Sequence, residues 1–590
     1  MRKGVRMRTS IKGILVAAVA TTILGGCKPY EPLTLQIAHV NDTHAHFDEA
    51  AVKLTLPDAN QQSVPTYAYV GGYPRLATKV KQLRESAELN DENFLLLHAG
   101  DAFSGTLFFT LYKGQLNADF MNQMEFDAMT LGNHEFDLGN QQLAAFADAI
   151  NFPLLSANIK TKGNDPLHGR YLPFTIKMVD EQPVAIVGLT TAYTEIISSP
   201  SDDTTFDDTI ETAEATVSKL RKAGINKIVL LTHLGLDEDK ALAGAVSGID
   251  VIIGGHSHDM PGDHSNIGLG NQGPSPVMIN GPDGEPVCIM HSGEYAMAVG
   301  VTDVSFTAEG LVDDCQGQNI VMTGDFFVQG NPPRPVDSTT KDVIVDFIAQ
   351  APNIEIVSKD LDAQAALELA KTEVAQFAST VVGTAAQPLY HVRLPGDAHP
   401  EQGAIEGGSM VALHVARSMA SKLEKVSAKP YIAIMNAGGV RADLEGSITV
   451  GDAYTVLPFS STLVSMSVSG ESFAQTLQTN ISNAYAISGV AFPYTANVSY
   501  TLDLADPAAP MVRDISIKDA NGIYQPIDLA SRYNLVTTSY LAGGGDLYAF
   551  PGATDVTDTG HIDAEALVQY IETQPGGVLD RLESGISIIK

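Results

Sequence analysis

Positive charge is scarce in this chain of 590 residues, which carries 36 Lys and Arg against 69 Asp and Glu. The first 26 residues hold five of the basic side chains and no acid, so removing them widens the imbalance. A surface of that sign repels polyphosphates and argues against a nucleic-acid polymer as partner. Any anionic small molecule must be held by concentrated local positive charge, which a metal site can supply. Long apolar runs are missing too: no uninterrupted stretch reaches the roughly 20 residues that a membrane-spanning helix needs. Tryptophan is absent, which excludes nothing. What is present is ample apolar content, 44% hydrophobic against 18% charged, enough for cores in two or more domains and incompatible with wholesale disorder.

The amino end has three parts: a basic segment over 1–12, an apolar segment over 13–24, and Leu24-Gly25-Gly26-Cys27. These are the parts of an export signal, and about 12 apolar residues are too few for a mature transmembrane helix. The segment resembles a bacterial lipoprotein signal. That resemblance implies cleavage after residue 26, lipidation of Cys27 and, with Lys rather than Asp at 28, an outer-membrane anchor facing the periplasm or the cell surface of a Gram-negative bacterium. The alternative is a soluble secreted protein with a coincidental cysteine. Cysteine is otherwise limited to Cys288 and Cys315, and an even number in an oxidising compartment suggests a bridge, against the alternative of two buried thiols.

From Leu33 to about residue 320 short apolar runs alternate with polar turns and helical patterns, which reads as α/β layers. The clearest runs are 33–40, 93–100, 127–132, 184–189, 227–233 and 250–255. A Pro-rich breaker at 330–337 and an amphipathic pattern over 358–380 follow, then a second α/β region. The expected division is a signal over 1–26, a layered α/β domain over 31–340, a linker with a connecting helix over 341–380, and a smaller α/β domain over 381–590.

Five segments of the first domain place ligand-type residues at or just beyond the carboxyl end of an expected strand, where open α/β sheets bind ligands. They are Asn41-Asp42-Thr43-His44, Gly100-Asp101, Gly132-Asn133-His134-Glu135-Phe136-Asp137, Thr232-His233 and Gly255-His256-Ser257-His258. Each alone is weak, and a single strand-end histidine such as His233 is often structural. Carboxylate, imidazole and amide oxygen together form the ligand set of Zn, Mn, Fe or Co.

In that order these motifs resemble the calcineurin-like metallophosphoesterase superfamily. Asn436-Ala437-Gly438-Gly439-Val440-Arg441, Leu457-Pro458-Phe459 and Gly543-Gly544-Gly545-Asp546 resemble the carboxy-terminal domain of bacterial 5′-nucleotidases. The resemblance implies two divalent ions (Zn, Mn or Co), one held by Asp42, His44, Asp101 and His258, the other by Asp101, Asn133, His233 and His256, with Asp101 as the bridge. It also implies that His134, oriented by Asp137, stabilises the transition state or leaving group; a loop-stabilising pair is the alternative. In some relatives Gln stands where this chain has His258.

Carried over in the same way, Arg441 and Arg393 become candidates for gripping phosphate, Phe459 and Tyr540 for stacking a base or else serving as core, and Asp546 for contacting the substrate. The expected function is removal of the 5′-phosphate from nucleoside monophosphates for extracytoplasmic salvage. Cleavage of a pyrophosphate bond in NAD or a UDP-sugar is the alternative, because 391–400 resembles NAD nucleotidases. An inert surface binding lipoprotein is the alternative from another class.

Overall fold

The computed structural model describes residues 30–459 and 461–589, so the signal segment and Cys27 lie outside the described residues. The alternating pattern of the first domain builds two large sheets, beside two short two-stranded ribbons. In the larger, Leu33–Val40, Asn93–His98, Ala128–Thr130 and Leu154–Leu155 run parallel in succession, and Ala298–Phe306, Val312–Gln329, Ser63–Val70 and Ala50–Pro57 extend it antiparallel on the other flank. In the smaller, Pro286–Met290, Val251–Ile253, Ile228–His233 and Gln182–Thr190 run parallel between antiparallel edges, Val277–Asn280 and Phe174–Val179.

The sheets pack face to face. Leu35, Ile37, Leu95 and Leu97 of one meet Val229, Leu231, Val251 and Ile253 of the other in a single buried cluster. The helices Tyr73–Asn90, Gln115–Met124 and Gly139–Ala149 cover the outer face of the larger sheet, and Thr209–Lys222 and Leu236–Ala245 that of the smaller. The central strands are therefore buried on both faces, which is why they read as continuous apolar runs. Cys288 lies in the smaller sheet and Cys315 in the larger, and their bridge ties the two together across 6.4 Å between Cα atoms. Closing 27 positions contributes roughly 3–4 kcal/mol in the chain-entropy account.

The linker expected to begin at 341 begins later. The helix Ser338–Ile348 buries Ile344 and Ile348 against Leu54 and Phe327 of the larger sheet, and the strand Ile354–Ile356 joins that sheet by pairing parallel with Val321–Thr323. Long-range pairing of this kind leaves no local signal. The connecting helix is Leu361–Ala378, with Asp360 accepting the backbone N–H groups of Asp362 and Ala363 as its N-cap. Its Ala363, Leu367 and Ala370 bury against the first domain.

Beyond it, Pro493–Ala496, Ile432–Asn436, Arg532–Thr538, Thr462–Ser469 and Thr554–Ile562 form, in that spatial order, a five-stranded sheet. The helices Met410–Ser427, Gly470–Ala486 and Asp563–Thr573 pack with it into one core containing Val415, Met419, Ile434, Phe473, Leu535 and Leu567. The two domains touch directly: Thr110 Oγ1 lies 3.1 Å from the Tyr454 hydroxyl and donates to Glu565 Oε1 at 2.9 Å.

Candidate metal centre and adjoining cavity

Three of the ligand-bearing loops leave strands of the larger sheet and two leave strands of the smaller, so the candidate metal centre sits where the carboxyl ends of both sheets meet. The loops are held tightly. Asp42 N–H donates to Gly100 O (3.0 Å), His44 N–H to Asp101 O (3.1 Å), and His256 N–H to Asp42 Oδ2 (2.9 Å). Asp42, His44, Asp101, His256 and His258 all have left-handed backbones, with φ of 49°, 46°, 55°, 85° and 57°. Each costs on the order of 1–3 kcal/mol, and strain concentrated in this way marks positions that the surrounding fold over-determines. Gly132 admits the Asp101 carboxylate, which a Cβ there would overlap.

Glu135 holds this arrangement together. Fully buried, its carboxylate accepts the N–H groups of Gly132 (2.7 Å), Asp101 (2.9 Å), Ala102 (2.8 Å) and Phe103 (3.2 Å). Burial, and then the neighbouring Asp101, push its pKa up to about 7. In the sequence Glu135 is marked only as a member of the Gly132–Asp137 motif, and its four backbone partners emerge only in the fold.

The imidazoles are oriented one nitrogen at a time. His233 Nδ1 donates to Ala99 O (2.8 Å) and His44 Nδ1 to Phe103 O (2.9 Å), because a carbonyl can only accept. Their Nε2 lone pairs then point inward: that of His233 lies 2.9 Å from Asp101 Oδ2, and that of His44 lies 3.3 Å from His258 Nε2. His258 Nε2 in turn lies 3.4 Å from Asp42 Oδ1. Asn133 Oδ1 is buried without a hydrogen-bond partner. Acceptors facing one another at such distances call for cations between them. Asp42, His44 and His258 form one group with ligand atoms all within 4.8 Å, and Asp101, His233 and His256 form another. A third group of the same kind is His44, Asp101 and His134. The residues present therefore fit divalent metal ions.

Electrostatics agree. Burial lowers His44 to about 3 and His256 to about 4, keeping both neutral with lone pairs available. Burial opposes the charged form of Asp42 and Asp101 as well, but the surrounding histidines hold both below the usual carboxylate range. At His233 burial is outweighed by Asp101 and Asp42, which raise it to about 9, so the carboxylates demand positive charge at that nitrogen.

Beside this centre, His134 Nδ1 pairs with Asp137 Oδ2 at 2.7 Å, and Ser104 and Ser198 donate to the same carboxylate. Burial would lower His134, yet Asp137 and Asp101 push it up to about 10.

A cavity of about 790 Å³ opens from the centre to the second domain. His44, Asp101, Asn133, His134, His256 and His258 line one side, and Arg441, Phe459, Tyr540 and Asp546 line the other. Phe459 and Tyr540 are 54% and 53% exposed, so neither is a core side chain. The Arg441 guanidinium lies 5.0 Å over the Phe459 ring. Asp546 is held by Asn436 Nδ2 (2.7 Å) and the Tyr540 hydroxyl (3.0 Å). Arg393 stands apart: exposed, it packs beside Gly489 and is not among the cavity-lining residues. Glu294, Tyr295, Thr462 and Asp558 also line the cavity, and no motif announced them.

Residues 35–260 match the calcineurin-like phosphoesterase family, and residues 381–552 match the 5′-nucleotidase C-terminal domain. The NAD 5′-nucleotidase of Haemophilus influenzae is 32% identical over 92% of this chain and 91% of its own. The chain belongs to the 5′-nucleotidase family. It is a metal-dependent phosphoester hydrolase with the two-domain α/β fold of that family. The structure of Haemophilus influenzae NAD nucleotidase superposes with a TM-score of 0.82 at 30% identity, covering 95% of this chain and 99% of that one. A 5′-nucleotidase precursor from Thermus thermophilus gives 0.57 at 31% identity, covering 94% and 99%.

Proposed function

We propose that this protein removes the 5′-phosphate from nucleoside monophosphates with two divalent ions, one held by Asp42, His44 and His258, the other by Asn133, His233 and His256, and Asp101 between them. The observation that carries this reading is a cavity lined on one side by His44, Asp101, Asn133, His256 and His258 and on the other by Arg441, Phe459, Tyr540 and Asp546. When bound, such ions supply Lewis acidity for a phosphoryl oxygen and an activated water near neutral pH. The chain supplies the rest. Arg441, its guanidinium 5.0 Å over the Phe459 ring, offers a planar fork to the phosphate. Phe459 and Tyr540 sandwich the base, and Asp546, held by Asn436 and Tyr540, accepts hydroxyl groups of the sugar. His134, with Nδ1 fixed by Asp137, keeps Nε2 for the leaving oxygen.

Hydrolysis of a pyrophosphate bond at the same centre is the second reading. The close superposition on an NAD nucleotidase favours it, as does the segment 391–400, whose sequence resembles NAD nucleotidases. The deciding experiment supplies the mature protein with Mn, Co or Zn and identifies products from AMP, NAD and a UDP-sugar. Adenosine and phosphate from AMP alone support the dedicated nucleotidase. Monophosphates from NAD or the UDP-sugar support the second reading, and binding without turnover would return the protein to an inert surface lipoprotein.

For Tyr540→Ala, KM for AMP is expected to rise by roughly tenfold, since base stacking is worth about 1–3 kcal/mol, with little change in kcat. An equal loss with a small phosphate ester would refute the stacking role.

The salvage role requires export, and the lipid anchor at Cys27 rests on the sequence of the amino end. Among the described residues no helix is long and apolar enough to cross a membrane. Mass spectrometry of the mature amino terminus is expected to find acylated Cys27; an unmodified terminus would refute the anchor.

A further inference from the structure

His258 differs from the ligand-type imidazoles of His233 and His44 in what holds it. His233 and His44 each donate Nδ1–H to a backbone carbonyl, whereas His258 Nδ1 lies 2.5 Å from the Glu294 carboxylate. A carboxylate partner fixes the tautomer as a carbonyl does, but its charge also makes the opposite nitrogen a stronger donor to a metal.

Glu294 is itself built into the centre. The preceding Gly293 accepts from Asn41 Nδ2 (2.6 Å), and its own N–H donates to Asp259 O (2.9 Å). The following Tyr295 donates its N–H to Asp42 O (2.8 Å). Tyr295 and Ala296 both have left-handed backbones, with φ of 59° and 53°. The two peptide units flanking Glu294 are therefore pinned to Asn41 and to Asp42, and the unit before them to Asp259, which follows His258. The carboxylate is placed by the same loops that present the ligands, and both Glu294 and His258 line the cavity.

We propose that Glu294 is a positioning residue for the metal held by Asp42, His44 and His258: it orients His258 through Nδ1 and strengthens Nε2 as a ligand, so that this ion, and not its neighbour, depends on Glu294. The inference rests on the two-ion reading above.

The test titrates the metal-free mature protein with Mn²⁺ by calorimetry, comparing wild type, Glu294→Ala, His258→Gln and the double variant. Wild type is expected to take two ions. Glu294→Ala should weaken one of them by roughly 10–100-fold and leave the other unchanged, the usual range for loss of a residue that orients a metal-bound histidine. If Glu294 acts through His258, the double variant loses no more than His258→Gln alone. Additive losses, or two ions bound by Glu294→Ala as tightly as by wild type, overturn the proposal. Glu294→Gln, which keeps an acceptor for Nδ1 and removes the charge, should lie between wild type and Glu294→Ala, and it carries the same comparison if the alanine variant does not fold. A wild-type protein taking one ion or none would overturn the two-ion reading first and the proposal with it, whereas unaltered binding in the Glu294 variants alone leaves that reading standing.

Discussion

Asp101→Ala is expected to reduce turnover of AMP by at least about 10³-fold, beyond the ~10²–10³ that loss of one stabilising donor costs elsewhere. The reason is the number of tasks on one carboxylate. Asp101 Oδ2 faces the inward nitrogen of His233 at 2.9 Å, and Oδ1 accepts the backbone N–H of His134 at 2.9 Å. It belongs to both ligand groups that do not contain Asp42. Removing it strips a shared ligand from both proposed ions and leaves His233, fully buried, without its nearest countercharge. Metal content after desalting, measured by mass spectrometry alongside kcat, should fall below that of a Glu294 variant. Turnover within tenfold of wild type, with metal retained, would refute the bridging role. Asp101→Asn keeps the shape while losing the charge, so it separates electrostatics from packing.

The parts of this site that were legible in the sequence share a local cause. Glycines at loop turns and ligand-type side chains within a few residues of an apolar run can be read without knowing what the run pairs with. That is why Asp42, His44, Asp101, Asn133, His233, His256 and His258 were visible, whereas Arg441, Phe459, Tyr540 and Asp546 stood out only through the resemblance to 5′-nucleotidases. Sheet membership is not local. Leu33–Val40 and Ile228–His233 look alike as apolar runs, yet the first pairs with Ala298–Phe306, far along the chain, while the second lies in the opposing sheet. The hairpin of Ala50–Pro57 and Ser63–Val70 gives no continuous apolar run, because many of its positions are exposed and Ala50–Pro57 is an edge strand.

Glu294 and Asp558 illustrate the other limit. Each is one acid in a chain with 69 of them, and only tertiary contact distinguishes the one beside His258 or the one facing the cavity from those that merely solvate the surface. Arg393 shows the converse: a residue placed by motif position alone, which the fold sets beside Gly489 rather than in the lining of the cavity.

Replacing His134 by Ala should lower kcat by about 10²–10⁴-fold, the range for a positioned general acid, while leaving metal content and KM close to wild type. The geometry separates this residue from its neighbours. Asn133 keeps its buried Oδ1 free of any hydrogen bond, whereas His134 is tied by Nδ1 to Asp137, and Asp137 is fixed in turn by the hydroxyl groups of Ser104 and Ser198. A ring held this way presents Nε2 at a defined place without spending it on a second hydrogen bond. Its contribution should depend on the leaving group. A nucleoside 5′-oxygen is a poor leaving group that needs a proton or a strong hydrogen bond as the P–O bond breaks. Nitrophenolate departs readily without one. The penalty of His134→Ala should therefore shrink sharply with p-nitrophenyl phosphate, and Asp137→Asn should follow the same pattern with a smaller loss, because the ring remains but its orientation and charge are weakened. Equal losses on both substrates would mean that His134 holds the loop rather than the leaving oxygen. A loss of bound metal in His134→Ala would point the same way, since the third ligand-type group joins His134 to His44 and Asp101. Measuring metal content together with the two rate constants distinguishes these outcomes in one preparation.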